Sequence, residues 1–467
     1  MTKALFTLGA AAIVSVTAAC GALEPRLPEA QPAITADWPA TGAASATSIG
    51  SEEAVADWRE FFSDAKLEAV IERALANNRD LRVAVLNVER ARALYRVQRA
   101  DRVPSLDARG TMIRTGGDRP MTESYAADLG VDGFELDLFG RVHSLSKAAL
   151  ERYFAQEEAR RSAQLALVAE VASAWLTLAA DRERLQVAEA TLETFLESYA
   201  LTEKRFELGA VSALDVSQAR TQLEGTRADA ARYKGWIAQD TNALVLLVGA
   251  PVEEALLPVS GVGESVSGIE PLPVGLPSTV LLLRPDVLQA EHLLRAQNAN
   301  IGAARAAFFP SIRLTGAVGT ASDELSGLFG SGTGTWSFMP QVTVPIFQGG
   351  RLRANLAGAR ADRDIALARY EQAIQAGFRE VGDGLALTAT LASERAALQA
   401  SVDAATETDQ LSRARYAAGR DSYLVLLDAQ RTLYAAQQVL IATRLAEQIN
   451  RVTLYKALGG GWSEGGP

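Results

Sequence analysis

The chain carries one plan twice. Residues 80–104 open on Asp80-Leu81 and close on Pro104; residues 286–310 open on Asp286-Val287 and close on Pro310, 206 positions later. Leu138-Phe139-Gly140-Arg141 returns as Ile346-Phe347-Gln348-Gly349-Gly350-Arg351, two residues longer, and from there the offset holds at 210. Arg205-Phe206-x-x-Gly209-x-x-Ser212 matches Arg415-Tyr416-x-x-Gly419-x-x-Ser422, and Gly249 matches Gly459. Landmarks kept in register over this length mean two copies of one structural unit. The Pro- and Gly-rich segment 251–285 joins them. Any fold for this chain must be built from two similar halves.

Within each copy the periodicity changes twice. A helical stretch predicted over Leu67–Arg102 stops ahead of Pro104, because the residue before a proline is disfavoured in the helical region. Leu106, Ala108, Gly110 and Met112 then alternate with Ser105, Asp107, Arg109 and Thr111, the period of a strand. After the loop Gly116–Glu123, Tyr125, Ala127, Leu129 and Val131 face one way and Asp128 and Asp132 the other. The second copy gives Ile312, Leu314 and Val318 on one strand and Trp336, Phe338, Val342, Val344 and Ile346 on the next. Each run matches a membrane strand of ~9–11 residues. One apolar face beside one polar or tiny face suits a barrel with lipid outside and water inside, and Trp336 and Phe338 suit its aromatic girdle. On these strands alone, a small soluble sheet with one buried face is the competing reading.

Between Gly140 and Gly209 lie 68 residues without proline or glycine. Val171, Leu178, Leu185, Leu192 and Tyr199 recur at every seventh position, the mark of a coiled-coil-like helix. At 1.5 Å per residue such a helix is roughly 100 Å long, more than a globular domain needs. The second copy repeats the arm from Gly350 to Gly419, where Gly358, Gly377, Gly382 and Gly384 are expected to interrupt its first half. Return helices over Ser212–Val248 and Ser422–Leu458 close the two hairpins. The expected class is mainly α with a membrane β-barrel.

Charge and cysteine narrow the function. The 46 Lys and Arg stand against 56 Asp and Glu, with no basic block, which argues against a nucleic-acid partner. The single cysteine, Cys20, excludes an intrachain disulfide and a cysteine metal cluster. Lys3, the apolar Ala4–Val16 and the small residues Thr17-Ala18-Ala19 form an export leader that ends at it. The leader resembles a bacterial lipobox with Thr17 in place of the usual Leu, which makes Cys20 the lipidated first residue. Ordinary cleavage after Ala19 is the other reading. Gly21 beside the cysteine resembles proteins sorted to the outer membrane. Beyond the leader the longest apolar run, Leu244–Val252, is broken by Gly249 and Pro251, short of the roughly 20 residues of a spanning helix. A bilayer would therefore be crossed by strands. The chain divides into a signal peptide (1–19), a lipid-anchored segment (20–60), a first repeat (61–250), a linker (251–285), a second repeat (286–459) and a tail (460–467).

Leu276-Pro277-Ser278 with Arg284-Pro285-Asp286-Val287, followed by Ile301-Gly302-Ala303-Ala304-Arg305-Ala306-Ala307-Phe308-Phe309-Pro310, resembles the midpoint signature of TolC-like outer-membrane efflux lipoproteins of the NodT/OprM type. Glu135-Leu136-Asp137-Leu138-Phe139-Gly140-Arg141, Pro345-Ile346-Phe347-x-Gly349-Gly350-Arg351, Leu426-Leu427-Asp428-Ala429-Gln430-Arg431 and Leu458-Gly459-Gly460-Gly461-Trp462 are similar to the family's other motifs. Gln348 sits where the family often has an acidic residue. The resemblance implies a homotrimer whose four strands per chain close a twelve-stranded barrel in the outer-membrane lipid. It also implies a helical tunnel across the periplasm that meets an adaptor protein and an inner-membrane pump, expected to be of the resistance-nodulation-division type. The duct of a one-step protein secretion system is the alternative in the same class.

Three sites follow. Gly209 and Gly419 read as left-handed helix ends, and Ser212 and Ser422 as caps of the helices that follow, with Ser212-x-x-Asp215 a candidate capping box. In the family such tips meet the adaptor, so Leu208, Gly209, Ala210, Ala418, Gly419 and Arg420 are the expected contacts. Leu424, Asp428 and Arg431 share a helix face, with Asp428 and Arg431 close enough to pair, and by resemblance they close the periplasmic entrance. No catalytic motif of a hydrolase, zinc protease or nucleotide-binding loop occurs. The glycine run Gly327–Gly334 lacks a lysine and reads as a loop between strands; His143 and His292 read as helix-surface residues. No enzyme activity, cofactor or metal is expected.

Overall fold

A computed structural model describes residues 23–32, 34–35, 57–118, 120–259, 261 and 278–460. Cys20, on which the lipid anchor rests, and Trp462 lie outside the described residues. The helices are α1 (Trp58–Phe61), α2 (Ala65–Asn77), α3 (Arg79–Ala100), α4 (Arg141–Glu207), α5 (Ala213–Val248), α6 (Pro285–Ala306), α7 (Arg351–Ala417) and α8 (Tyr423–Ala457). The strands are β1 (Asp107–Thr115), β2 (Thr122–Leu136), β3 (Ser311–Ser322) and β4 (Gly334–Thr343). Each repeat therefore reads helix, two strands, long helix, return helix, and the expected class is the one found. The chain divides into two compact units, one of 86–158 and 288–373 with the segment up to Gln31, the other of 32–85, 159–287 and 374–467.

The first unit holds an antiparallel sheet in the order β1-β2-β3-β4. Its register sorts side chains by face. Ala108, Leu129, Val318 and Trp336 form one cross-strand row, and Arg109, Asp128, Gly319 and Thr335 form the next row, on the opposite face. The ladder skips a residue between Val131 and Phe134. Gly133 takes a positive φ of 63° there and donates its N–H to Thr315 Oγ1 at 3.0 Å. This bulge flips the alternation, so Phe134 and Leu136 stay on the face of Leu129 and Val131, opposite Leu314 and Ile312. At Gly319 an added Cβ would lie 2.2 Å from the Ala127 carbonyl oxygen, so only glycine lets β2 and β3 approach this closely. β4 ends at Thr343, which leaves Val344 and Ile346 beyond the strand expected to contain them. Pro345 has no N–H to continue a ladder.

The N-terminal segment of this unit is tied to the helices. Arg305 Nη1 donates to the Leu23 carbonyl at 2.9 Å, Asn298 Nδ2 to Glu24 Oε1 and the Pro25 carbonyl, and Lys147 Nζ pairs with Glu24 Oε2 at 2.8 Å. Gly302 makes room, since a Cβ there would meet Ser144 Oγ at 2.8 Å and Glu24 Cα at 3.3 Å. His292 is not the free surface residue expected from sequence. Its Nδ1 lies 2.8 Å from Glu151 Oε2 and both side chains are largely buried.

In the second unit Leu67, Ile71, Val171, Trp175, Leu178, Leu244 and Tyr455 form the core, with Phe61 stacked on Tyr455 at 4.2 Å. Asp64 caps α2 by accepting from the N–H groups of Lys66 and Leu67. The helix expected over Leu67–Arg102 is broken at Asn78, whose ψ is 133°. Its side chain explains the break: Oδ1 accepts from Leu81 N at 2.8 Å and Nδ2 donates to the Leu247 carbonyl at 2.7 Å. α4 contains an 18-residue window of mean hydropathy 1.5, so an apolar stretch of membrane length does exist, contrary to the sequence expectation. Its Leu167, Val168, Val171, Ala172 and Leu176 belong to the core cluster, so this apolar surface serves packing inside the fold.

The glycines expected to interrupt the second arm do not do so. α7 is continuous over 67 residues, as long as α4. Two of the glycines are close-approach positions: a Cβ at Gly377 would meet the Arg284 guanidinium carbon at 3.2 Å, and one at Gly384 would meet Leu454 Cδ1 at 2.9 Å. At Gly377 and Gly384 tertiary packing thus offsets the cost of roughly 1 kcal/mol that a glycine imposes on a helix, whereas Gly358 and Gly382 have no neighbour within 4 Å of an added Cβ.

A carboxylate pair lies across the first hairpin. Asp181 on α4 is 4% exposed and accepts from Arg184 Nη1 at 2.6 Å. Burial, then the Asp181 charge and a hydrogen bond to it, push the Asp240 carboxyl on α5 up to about 6, against the smaller opposing pull of Arg184. A carboxyl raised in the fold contributes stability below its unfolded value and loses it as pH rises through about 6. Asp240→Asn should therefore stabilise the protein at pH 8 by about 1 kcal/mol, discounted for solvent screening. The gain should vanish near pH 4, as melting followed by circular dichroism at both pH values will show.

Candidate functional site

The two hairpin tips are built alike and finished differently. At the first, Ala210 N–H donates to the Arg205 carbonyl (2.8 Å) and Gly209 N–H to the Phe206 carbonyl (2.9 Å), with φ of 74° at Gly209. At the second, Arg420 N–H reaches the Arg415 carbonyl (2.9 Å) and Gly419 N–H the Tyr416 carbonyl (3.0 Å), with φ of 70° at Gly419. Both are left-handed glycine caps of the Schellman type. Ser212 and Asp215 form the capping box expected from sequence. Ser422 occupies the N-cap position but its side chain makes no capping bond.

Asp421 takes over at the second tip, where it accepts two bonds from Arg415 at 2.6 and 2.8 Å. The guanidinium holds the Asp421 carboxyl below its usual range. The first repeat has Val211 in the place of Asp421, and Arg205, the counterpart of Arg415, lies instead 4.6 Å over the Tyr416 ring. Leu208 at the first tip is 84% exposed. Ala210, Ala418 and Arg420 are also exposed, which leaves all six expected contact residues on the surface.

On α8, Leu424, Asp428 and Arg431 are exposed, whereas Tyr423, Leu426 and Leu427 pack with Phe195, Leu223 and Tyr416. The structure thus brings the three expected gate residues to one outward face. Leu424 and Asp428 line a groove of about 570 Å³ with Ala405, Thr408 and Ser412 of α7. The expected ion pair between Asp428 and Arg431 is not formed within one chain among the described residues. Two residues three positions apart on a helix can pair only if both side chains lean together. Here both residues are exposed and neither reaches the other.

Sequence reasoning missed a buried charge with several partners. Arg284, 7% exposed at its side chain, donates to Asp286 Oδ1 and Oδ2 (3.0 and 2.8 Å), to Glu380 Oε2 (2.7 Å) and to the Ala457 carbonyl (2.6 Å). It ties the start of α6 to α7 and to the last turn of α8. The Arg-Pro-Asp run was its only trace in the sequence.

A family model described as outer membrane efflux protein covers residues 70–250 and 276–460. The chain belongs to the outer membrane efflux protein family. It is 46% identical over 474 residues to the toluene efflux pump outer membrane protein TtgC of Pseudomonas putida, covering 99% of this chain and 97% of that one. It is 44% identical to the cation efflux system protein CusC of Escherichia coli, covering 88% and 89% of the two chains. The crystal structure of the open state of the MtrE outer membrane channel of Neisseria gonorrhoeae superposes with a TM-score of 0.85 at 38% identity, over 94% of this chain and 98% of that one. As a member of this family the protein is an outer-membrane channel component of an efflux system.

Proposed function

We propose that three copies assemble into one duct that passively conducts substrates delivered by an inner-membrane pump and a periplasmic adaptor. The observation that carries this reading is the sheet: one face is apolar in every cross-strand row from Leu129 to Leu136, and β1 and β4 are left with open edges. Four strands cannot close a barrel alone, and an unpaired edge in lipid costs several kcal/mol per polar group. Three sheets joined edge to edge would close at twelve strands. Cys20 would carry the acyl anchor, and Leu424, Asp428 and Arg431 would surround the periplasmic entrance. TtgC and CusC are named for an aromatic solvent and for cations at nearly equal identity to this chain. Cargo is therefore assigned to the pump, here expected to be of the resistance-nodulation-division type, and not to the duct.

Native mass spectrometry of the detergent-extracted protein tests both assembly and anchor. Three chains with an acylated Cys20 are expected, and Cys20→Ala, exported by a cleavable leader, should lose the lipid mass and keep the trimer. Monomers alone would sink the shared barrel, and an unmodified Cys20 would sink the anchor.

The tips supply a second test. An added Cβ meets nothing within 4 Å at Gly209 or Gly419, so valine there strains only the backbone, by roughly 1–3 kcal/mol. Gly209→Val with Gly419→Val should weaken adaptor docking while the trimer persists. Unchanged adaptor cross-linking in the double variant would remove the tips from the docking surface.

A further inference from the structure

Three segments meet at one end of the sheet. β2 leaves through Leu138-Phe139, β3 is entered through Phe308-Phe309, and β4 leaves through Ile346-Phe347; pairing of Leu136 with Ile312 and of Ser311 with Thr343 places all three there. The N-terminal segment starts at the same end, because Arg305 holds the Leu23 carbonyl three residues after Cys20.

The two repeats treat this end differently. In the first, Phe139 stacks on Phe309 at 4.7 Å, and Arg141 is neutralised by Glu135 through two bonds of 2.8 and 2.7 Å. The second repeat is two residues longer here, and Gly349 and Gly350 both take positive φ, 56° and 86°. The extra turn leaves Ile346 and Phe347 at 93% and 88% exposure, the highest among the chain's large apolar side chains in the described residues. Arg351, the counterpart of Arg141, meets only the uncharged Gln348, at 2.7 Å. Neither Arg351 nor Arg353, both exposed, has an acidic partner among the described residues.

We infer that Ile346-Phe347 with Arg351 and Arg353 forms a second membrane anchor seated in the periplasmic leaflet of the outer membrane. The apolar pair enters at the level of the first acyl carbons, continuous with the sheet's apolar face. The two guanidinium groups take lipid phosphates, for which their planar donor fork is suited. An aromatic ring next to unpaired cations fits a headgroup boundary, where one end is apolar and the other wet. The inference rests on the reading of that sheet face as lipid-facing.

The test reconstitutes the full-length protein into phosphatidylethanolamine–phosphatidylglycerol vesicles doped with a phospholipid bearing a diazirine, either beside the headgroup or at the acyl terminus. After irradiation the labelled residues are assigned by mass spectrometry. The headgroup-proximal probe should label Ile346 or Phe347 several-fold more than the acyl-terminal probe, which should instead label Phe338 or Val318. Arg351→Gln with Arg353→Gln should lower the headgroup-proximal label several-fold, and an unchanged yield would overturn the phosphate contacts. Labelled Phe338 or Val318 with Ile346 and Phe347 silent to both probes, or cross-linked only to a second copy, would overturn the anchor and leave the lipid-facing sheet standing. Absence of label from the whole apolar face would overturn the lipid-facing reading itself.

Discussion

Arg284→Ala is expected to destabilise the protein by roughly 3 kcal/mol, the scale of breaking a buried, hydrogen-bonded ion pair. The guanidinium is enclosed, and its donors are divided among Asp286, Glu380 and the Ala457 carbonyl. Asp286 and Glu380 are 38% and 50% exposed, so water recovers part of their loss and the estimate stays at the lower end of that scale. The Ala457 carbonyl is one of the terminal acceptors of α8 and would lose a charged donor suited to the negative end of a helix. Arg284→Lys should recover only part of the stability, since a single ammonium cannot span three acceptors. Gly377→Leu should reproduce much of the defect from the other side, because its side chain would have to displace the guanidinium now at 3.2 Å. Melting of the helical signal in detergent is the measurement. An Arg284→Ala variant that melts with wild type would show that these contacts hold nothing together.

The same network shows where sequence reading runs out. Features fixed by neighbours in the chain were legible: the glycine ends at Gly209 and Gly419, the Ser212–Asp215 box and the alternation from Leu129 to Val131 each need only a few adjacent residues. Features that depend on a distant partner were not. Asn78 breaks a helix because it binds the Leu247 carbonyl, 169 positions away, and nothing in the local periodicity marks that bond. Gly377 and Gly384 look like helix breakers until Arg284 and Leu454 are seen filling the space beside them. The bulge at Gly133 hid Phe134 and Leu136 from the apolar face, since a strict period of two assigns them to the wrong side. At the proposed gate the shared face of Leu424, Asp428 and Arg431 was readable from helical spacing. The ion pair was not, because spacing permits a contact without requiring the side chains to make it.

That missing pair sharpens the expected behaviour of the gate. Asp428→Ala with Arg431→Ala should raise the conductance of the isolated duct in planar bilayers by an order of magnitude or more. Both side chains are exposed on α8, beside Leu424, and neither is satisfied by the other within its own chain. In a trimer with this face turned to the axis, three carboxylates would repel unless each met a cation from a neighbour. Arg431 of the next copy would supply that cation to Asp428. Charge-assisted bonds of this kind contribute about 1.5–3 kcal/mol each. Loss of three of them exceeds the 1.4 kcal/mol that changes a population tenfold, so the open state should gain at the expense of the closed one. Exchange of the charges, Asp428→Arg with Arg431→Asp, should restore closure, because an inter-chain pair is indifferent to which copy carries which sign. Added salt should open the wild-type duct partially and leave the alanine variant unmoved, as screening acts only where a pair exists. Intact trimers with wild-type conductance in the alanine variant would place the closure elsewhere along the helices, and a charge exchange that stays open would show that the residues act one by one.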